Sequence, residues 1–246
     1  MRRTLFEVWR LCQKAAEGAG APAGLDIDAA DGALWLLARG LDVLDGYSGA
    51  VEAPDVGAGA CGFVRGPDGA VLDATGHPGA LVAPALVDLV IARGGGPLTI
   101  TGMSAPLFLL PPAARYAEDG WHLRFALHGP GGARFALVAS AGAGPAIHGL
   151  ADGATIAAAL AGPAEFAVEA DATPPGGAPA KRDEGTIPCL VDASALAAAA
   201  AVSVAEGIVI EATPWARLQA FADRTLVPAT DESRRRGAGA EVDDNE

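Results

Sequence analysis

Basic side chains alternate with apolar ones in the segment WHLRFALHGPGGARFALVAS, residues 121–140. Side chains two positions apart lie on the same face of a β-strand, so the pattern predicts two strands that share a basic face. The residues of this face are His122, Arg124, His128 and Arg134. A five-residue loop, 129–133, would pair position 128 with 134 and place the apolar side chains of both strands on the opposite face.

This basic face is a candidate binding site for a carboxylate or phosphate group. Arginine donates two parallel hydrogen bonds to such groups, and a local basic surface stands out in an acidic chain. The alternative is a solvated outer face, which any half-buried strand needs. We therefore keep two interpretations of these strands, an anion site and a plain solvent-facing surface.

Patterns typical of other chemistry are weak. Gly142 and Gly144 follow a predicted strand, as in a dinucleotide-binding loop, but Ile147 stands where the third glycine belongs, so an ordinary turn is favoured. The metal-binding patterns HxH, CxxC and HExxH do not occur in the sequence. We expect no cofactor and no metal. The three cysteines are far apart and are predicted to be free thiols in a reducing cytoplasm: Cys12, Cys61 and Cys189.

The charge of the chain limits its partners. Seventeen Lys and Arg against thirty Asp and Glu give a net charge of −13. Nucleic acids and anionic membranes bind concentrated basic surfaces, so neither is an expected partner. Residues 1–18 carry too many charges for a signal peptide, and we expect a soluble cytoplasmic protein. Lysine occurs only at Lys14 and Lys181, a usage typical of GC-rich bacterial genomes.

Helix signals mark both ends of the chain. Thr4 and Glu7 form a capping box, and a second helix is predicted over about 28–44, antiparallel to the first. A C-terminal helix is predicted over 213–224. Between them, strands and helices mix without regular βαβ alternation. This favours an α+β fold with a mainly antiparallel sheet, an N-terminal helical pair and a C-terminal helix.

The length suits one large domain. We expect a single α+β domain over 1–232, with the helical pair 4–45 packed on it, followed by a Gly/Ala-rich and acidic tail, 233–246. Prolines give two more predictions. Pro84 is expected in the first turn of a helix, and the adjacent prolines 111–112 are expected to stop a buried run.

The two ends of the chain resemble a bacterial protein family of unknown function. The N-terminal segment carries the pattern KAAxGAG, and the C-terminal segment carries RTxVPxxxxSRxxGAGA. The matching residues are Glu7, Leu11, Lys14, Ala15, Ala16, Gly18, Ala19, Gly20, Gly24, Leu25, Trp35 and Leu36, then Arg224, Thr225, Val227, Pro228, Ser233, Arg234, Gly237, Ala238, Gly239, Ala240, Asp244 and Asn245. The resemblance implies a related fold, and it carries no mechanism.

The resemblance also makes the C-terminal tail a candidate for more than a frayed end. If the chain ends meet, basic residues and close-packing glycines form a small-anion or partner-binding surface from Lys14, Arg224, Ser233, Arg234, Gly237 and Gly239. Two functions stay open. One is an accessory protein that binds a small anionic metabolite or a partner subunit. The alternative is an enzyme on a small anionic metabolite, with a site of dispersed Arg, Ser, His and Asp residues.

Overall fold

The computed structural model describes residues 1–52, 62–66, 69–94, 97–149, 159–177 and 187–225, with backbone only for 62–66 and 69–70. Helices pack with a large mixed sheet in which antiparallel pairs predominate. This arrangement confirms the predicted α+β class. None of the helices in these ranges is both long and apolar enough to cross a membrane.

The N-terminal helical pair forms as predicted. Helix α1, Leu5–Gly18, begins at the capping box, where the Thr4 hydroxyl accepts from the Glu7 amide at 3.2 Å and the Glu7 carboxylate accepts from the Thr4 amide at 2.8 Å. Helix α2, Leu25–Ala38, lies antiparallel to it. Two side-chain bonds set this arrangement: Trp9 Nε1 donates to Asp31 Oδ1 at 2.8 Å, and Gln13 Nε2 donates to Asp26 Oδ2 at 3.0 Å.

The second predicted helix is in fact two helices, so the boundary over 28–44 is wrong. Gly40 has a φ of 76°, which ends the helical path after α2. Helix α3, Leu44–Glu52, then begins, and the Asp42 carboxylate accepts from the Leu44 amide at 3.2 Å. Leu41 and Leu44 are buried and continue the apolar pattern across the break, which is why the sequence suggested one helix.

Eight strands form the large sheet in the order β2-β3-β4-β8-β5-β6-β7-β9, and only the β3–β4 pair is parallel among the described strands. Their bounds are β2 Gly62–Gly66, β3 Gly69–Asp73, β4 Leu98–Ser104, β5 His122–His128, β6 Arg134–Ser140, β7 Gly144–Gly149, β8 Glu165–Thr173 and β9 Cys189–Val191. Two short strands, β1 Arg2–Arg3 and β10 Ile208–Val209, form a separate antiparallel pair.

The β5–β6 hairpin has the predicted register. His128 pairs with Arg134, which leaves the five-residue loop 129–133. Leu123, Phe125 and their neighbours across the ladder are buried. The apolar face of the hairpin packs against helix α5, Leu110–Glu118.

The prolines at 84 and 111–112 lie in helices, but not at the positions that the sequence predicted. Prolines 111–112 lie in the first turn of α5, where their missing N–H groups cost nothing, so they start a helix instead of stopping a run. Helix α4, Gly79–Ala92, begins before Pro84, which therefore lies inside it and not in its first turn. Both helices pack against the sheet and contribute to one continuous core.

The ends of the described chain adjoin. Helix α6, Ala193–Glu206, leads through β10 to helix α7, Ala212–Ala222, which packs against α1. Position 18 has room only for glycine, because a Cβ there would overlap the carbonyl oxygen of Phe221. Helix α7 starts one residue before the predicted 213–224 and ends two residues before its predicted end.

Candidate functional site

A cleft of about 380 Å³ opens where α3, the end of β4, the start of β8 and α7 come together. Its walls are made mainly of glycine, alanine and proline. The polar side chains that line it are Asp45, Ser104, Glu165 and Arg217. Because the residues of the walls are small, the cleft has space for a ligand. The four polar side chains supply charges and a hydroxyl for its recognition.

The end of β4 is irregular where it forms the cleft wall. Its pairing with β8 shifts register between Ile100 and Met103, and the strand ends at Ser104. Ala105 then adopts a φ of 48°, in the left-handed region. This conformation costs a residue with a side chain roughly 1–2 kcal/mol. Backbone strain of this kind persists where the surrounding structure holds it, often at ligand sites.

Helix α3 reaches the cleft because Gly46 lacks a side chain. A Cβ at this position would overlap the carbonyl oxygen of Ala161. The close approach places the first turn of α3, with Asp45, beside residues 161–163 at the rim. Gly49, one turn later, also lines the cleft but would meet nothing within 4 Å if it carried a Cβ.

Arg217 on α7 makes two unequal ion pairs. Its Nε and Nη2 donate to the two carboxylate oxygens of Glu52 at 2.9 and 2.6 Å, a bidentate geometry that fixes the guanidinium plane. Its Nη1 donates to Asp45 Oδ1 at 2.7 Å. The Asp45 side chain is 82% exposed, whereas the Glu52 side chain is 38% exposed. Glu52 therefore orients the arginine, and Asp45 is the more easily replaced partner.

The pair keeps both groups charged. Hydrogen bonds from Arg217 lower the pKa of Glu52, and hydrogen bonds to Glu52 in turn raise the pKa of Arg217. Among the described residues that line the cleft, Arg217 is the one cation, and Asp45 and Glu165 are the carboxylates. An added anion would meet net negative charge unless it takes the place of a carboxylate.

The predicted basic face exists, but acidic side chains share it. Strand β8 pairs with β5 so that Asp171 lies opposite Arg124, and Arg124 Nη1 is 3.8 Å from Asp171 Oδ2. His128 Nε2 is likewise 3.9 Å from Glu169 Oε1. His122 is half-buried and Arg134 is exposed at the end of β6. The pairing of β8 with β5 was not predicted, so the carboxylates that accompany these basic residues were missed.

The predicted terminal surface is described only in part. Lys14 Nζ is 2.6 Å from Glu17 Oε2, and the Arg224 guanidinium stacks 3.9 Å from the centre of the Phe221 ring. The contact of α1 with 223–225 brings the two basic residues to one region. The other predicted members lie outside the described residues, and the surface stays a prediction: Ser233, Arg234, Gly237 and Gly239.

The Gly142 and Gly144 pattern is an ordinary turn, as favoured from the sequence. Ser140 pairs with Gly144, so the glycines connect β6 to β7 in a hairpin and open no helix. Strand β7 itself was not predicted. Within the ranges that the structure describes, no group of three or more His, Cys, Asp or Glu side chains could hold a metal ion.

The fold is similar to that of several solved dehydrogenases. A dehydrogenase from Sinorhizobium meliloti is similar over 90% of this chain and 99% of its own, with a TM-score of 0.64 and 15% identity. A putative malate/lactate dehydrogenase from E. coli is similar over 96% and 98%, with a TM-score of 0.61 and 12% identity. Sulfolactate dehydrogenase from Methanocaldococcus jannaschii is similar over 91% and 97%, with a TM-score of 0.60 and 12% identity.

Comparison of the sequence with known proteins identifies no family for the chain. No protein-family model matches the chain. No curated protein matches it significantly. At 12–15% identity the structural likeness establishes a shared fold.

Proposed function

We propose that the chain is an enzyme that acts on a small metabolite bearing a carboxylate, and that the metabolite binds in the cleft beside Arg217. The observation that carries the proposal is the arrangement of this arginine, which Glu52 orients in bidentate fashion while its Nη1 meets an exposed, replaceable Asp45. The fold supports it, since malate, lactate and sulfolactate, named for the structural neighbours, all carry a carboxylate.

Binding proceeds by exchange of carboxylates. The pair between Arg217 and the exposed Asp45 is worth less than about 1 kcal/mol in water. A ligand carboxylate accepts from the same Nη1, and the rest of the ligand adds contacts with the cleft walls that Asp45 at the rim does not make. Since the ligand replaces one negative charge by another, the net charge beside the guanidinium stays constant. Glu52 holds the arginine in place throughout.

The exchange also releases a base. Asp45, once it leaves Arg217, is a free carboxylate at the cleft rim, placed to accept the proton of a ligand hydroxyl when a hydride leaves the same carbon for a separate acceptor. Glu165 is the second carboxylate of the cleft, and Ser104 supplies a hydroxyl for orientation. These residues fit proton transfer to or from a small hydroxy or keto acid.

Dehydrogenation would also need a hydride acceptor. The Gly142–Gly144 turn joins two antiparallel strands, so it does not fit the strand–loop–helix cradle of a Rossmann-type dinucleotide. We therefore derive no step through such a cofactor. The prediction of no cofactor stays a prediction.

The test is binding of small 2-hydroxy and 2-keto acids, each compared with its uncharged amide, and turnover of the acids that bind when a soluble hydride acceptor or donor is added. Acids that bind should raise the Tm of the wild-type chain, and Arg217→Gln should weaken their binding at least about tenfold. The matched control is Arg115→Gln, since Arg115 forms a comparable exposed pair with Asp31 at 2.9 Å outside this cleft.

A second variant separates binding from chemistry. Asp45→Asn removes the carboxylate that competes for Arg217, so the acid should bind at least as tightly while turnover falls. If no acid in the panel binds, or if Arg217→Gln binds as well as wild type, the proposal fails. If Asp45→Asn weakens binding, Asp45 contacts the ligand directly and the exchange step is wrong.

A further inference from the structure

The exposed residues of helix α3 lie on one face of it. They are Asp45, Gly49 and Glu52, which follow one another at spacings of four and three residues. Arg217 pairs with both ends of this face, at 2.7 Å to Asp45 and at 2.9 and 2.6 Å to Glu52. Its guanidinium therefore lies over Gly49, the residue between the two carboxylates.

The space beside Gly49 is open. A Cβ at this position would meet nothing within 4 Å, so even the arginine that spans the face leaves the space unfilled. Gly49 and the next residue, Ala50, both line the cleft, and the open space is therefore part of the cleft. A ligand carboxylate that replaces Asp45 on Nη1 brings its neighbouring carbon atoms to this wall.

We infer that the space beside Gly49 receives an apolar side chain of the ligand, and that the absence of a side chain at Gly49 sets how large this group can be. The substrate class is then a monocarboxylate with an aliphatic side chain, in preference to a dicarboxylate. The inference rests on the proposed function, because it requires the ligand carboxylate to bind Arg217.

The size and the composition of the cleft support an aliphatic side chain. Eight of the twelve described residues that line it are Gly, Ala or Pro, which offer hydrocarbon surface and no charge. Its volume of about 380 Å³ is in the range of sites for ligands larger than a three-carbon acid. Lactate has six non-hydrogen atoms, and at roughly 30 Å³ for each, the volume of a water molecule in the liquid, it fills only about half of this cleft.

The charges of the cleft disfavour a second acidic group on the ligand. Arg217 is the one cation among the described residues that line the cleft, and Glu52 already pairs with it. The second charge of a dicarboxylate would therefore enter a cleft whose other charged side chains are the carboxylates of Asp45 and Glu165. A ligand charge that finds no partner loses water without compensation, and this discriminates against the dicarboxylate.

The first test is the affinity of the wild-type chain for unbranched 2-hydroxy acids from lactate to 2-hydroxycaproate, measured by isothermal titration calorimetry. Each added methylene should tighten binding about three- to fourfold, as expected for a methylene that leaves water. Malate is compared with 2-hydroxy-4-methylpentanoate, which has the same shape but carries two methyl groups in place of the oxygens of the second carboxylate. Malate should bind at least about tenfold more weakly than this analogue.

The second test fills the space in two steps with Gly49→Ala and Gly49→Val, since a Cβ at this position meets no other atom. Gly49→Val should weaken the binding of 2-hydroxycaproate at least about tenfold and that of lactate less than about threefold, with Gly49→Ala between wild type and Gly49→Val. The matched control is Ala198→Val, at an exposed alanine of α6 outside the cleft, which should leave every affinity unchanged.

Three outcomes would overturn the inference and leave the carboxylate site at Arg217 standing. They are an affinity that does not depend on chain length, malate bound as tightly as its methyl analogue, and a Gly49→Val variant that weakens lactate as much as 2-hydroxycaproate. If none of these acids binds to wild type, the proposed function fails and the inference fails with it. If Gly49→Val folds poorly, the wild-type affinities decide alone.

Discussion

Two glycines three residues apart in α3 provide a sensitive test of the cleft wall. A Cβ at Gly46 would overlap the Ala161 carbonyl oxygen, far inside the 3.0 Å that real Cβ contacts respect, whereas a Cβ at Gly49 would meet nothing within 4 Å. Alanine forms helix better than glycine, so Gly49→Ala should stabilise the chain by about 0.5–1 kcal/mol. In Gly46→Ala, α3 must move about 1 Å from a carbonyl that cannot rotate away, which costs about 2–3 kcal/mol.

The net expectation for Gly46→Ala is a loss of about 1–2 kcal/mol in the free energy of unfolding, measured by urea denaturation. In a chain of this length each kcal/mol shifts Tm by about 2–4 °C, so Tm should fall in this variant and rise in Gly49→Ala. Because both variants replace glycine by alanine within one helix, opposite signs of their stability changes exclude helix propensity as the cause of the difference. A Gly46→Ala variant as stable as wild type would show that α3 is not held against Ala161, and the described cleft wall would be wrong.

Two further measurements test an ion pair and the thiols. Because hydrogen bonds from Arg217 lower the pKa of Glu52 from 4.5, the pair contributes stability above that pH and loses it as pH falls through the folded pKa. Glu52→Gln should thus be less stable than wild type at about pH 7, by at most about 1 kcal/mol, and the difference should shrink as pH falls through the lowered pKa of Glu52; a pH-independent difference would contradict this origin. Burial raises the pKa of Cys12 to about 12, whereas Cys189 is exposed, so iodoacetamide with peptide mapping should label Cys189 in the native chain and Cys12 only after unfolding. Rapid native labelling of Cys12 would refute the packing of α1.

The sequence predicted those parts of the fold that depend on interactions between residues close together in the chain. The capping box at Thr4 and Glu7 and the β5–β6 register depend on residues close in sequence, and both are confirmed. Strand β7 was missed because Gly144–Gly149 contains two glycines and a proline, which disfavour a strand. Pairing with β6 and β9 on either side overrides this preference, and no local pattern reports it.

The cleft could not be located from the sequence. Asp45 and Arg217, which are in contact, lie 172 positions apart, and the two carry no motif. The predicted alternative of dispersed Arg, Ser, His and Asp residues shares Arg, Ser and Asp with the residues that line the cleft, but it gave no positions for them and did not include Glu165. What joins them is the topology, since β4 and β8 are neighbours in the sheet and α7 returns to α3.

The two arginine sites show why basic residues alone are a poor guide to anion binding in an acidic chain. Each arginine has acquired a carboxylate, Asp171 for Arg124 and both Glu52 and Asp45 for Arg217. An incoming anion binds only where the resident carboxylate can leave. The Asp171 side chain is 19% exposed and lies within a central strand, so its separation from Arg124 would break the ion pair without returning the carboxylate to bulk water. Asp45 is 82% exposed on a helix end and returns to water at little cost. The ease of that exchange, more than the number of arginines, favours the cleft over the sheet face as the binding site.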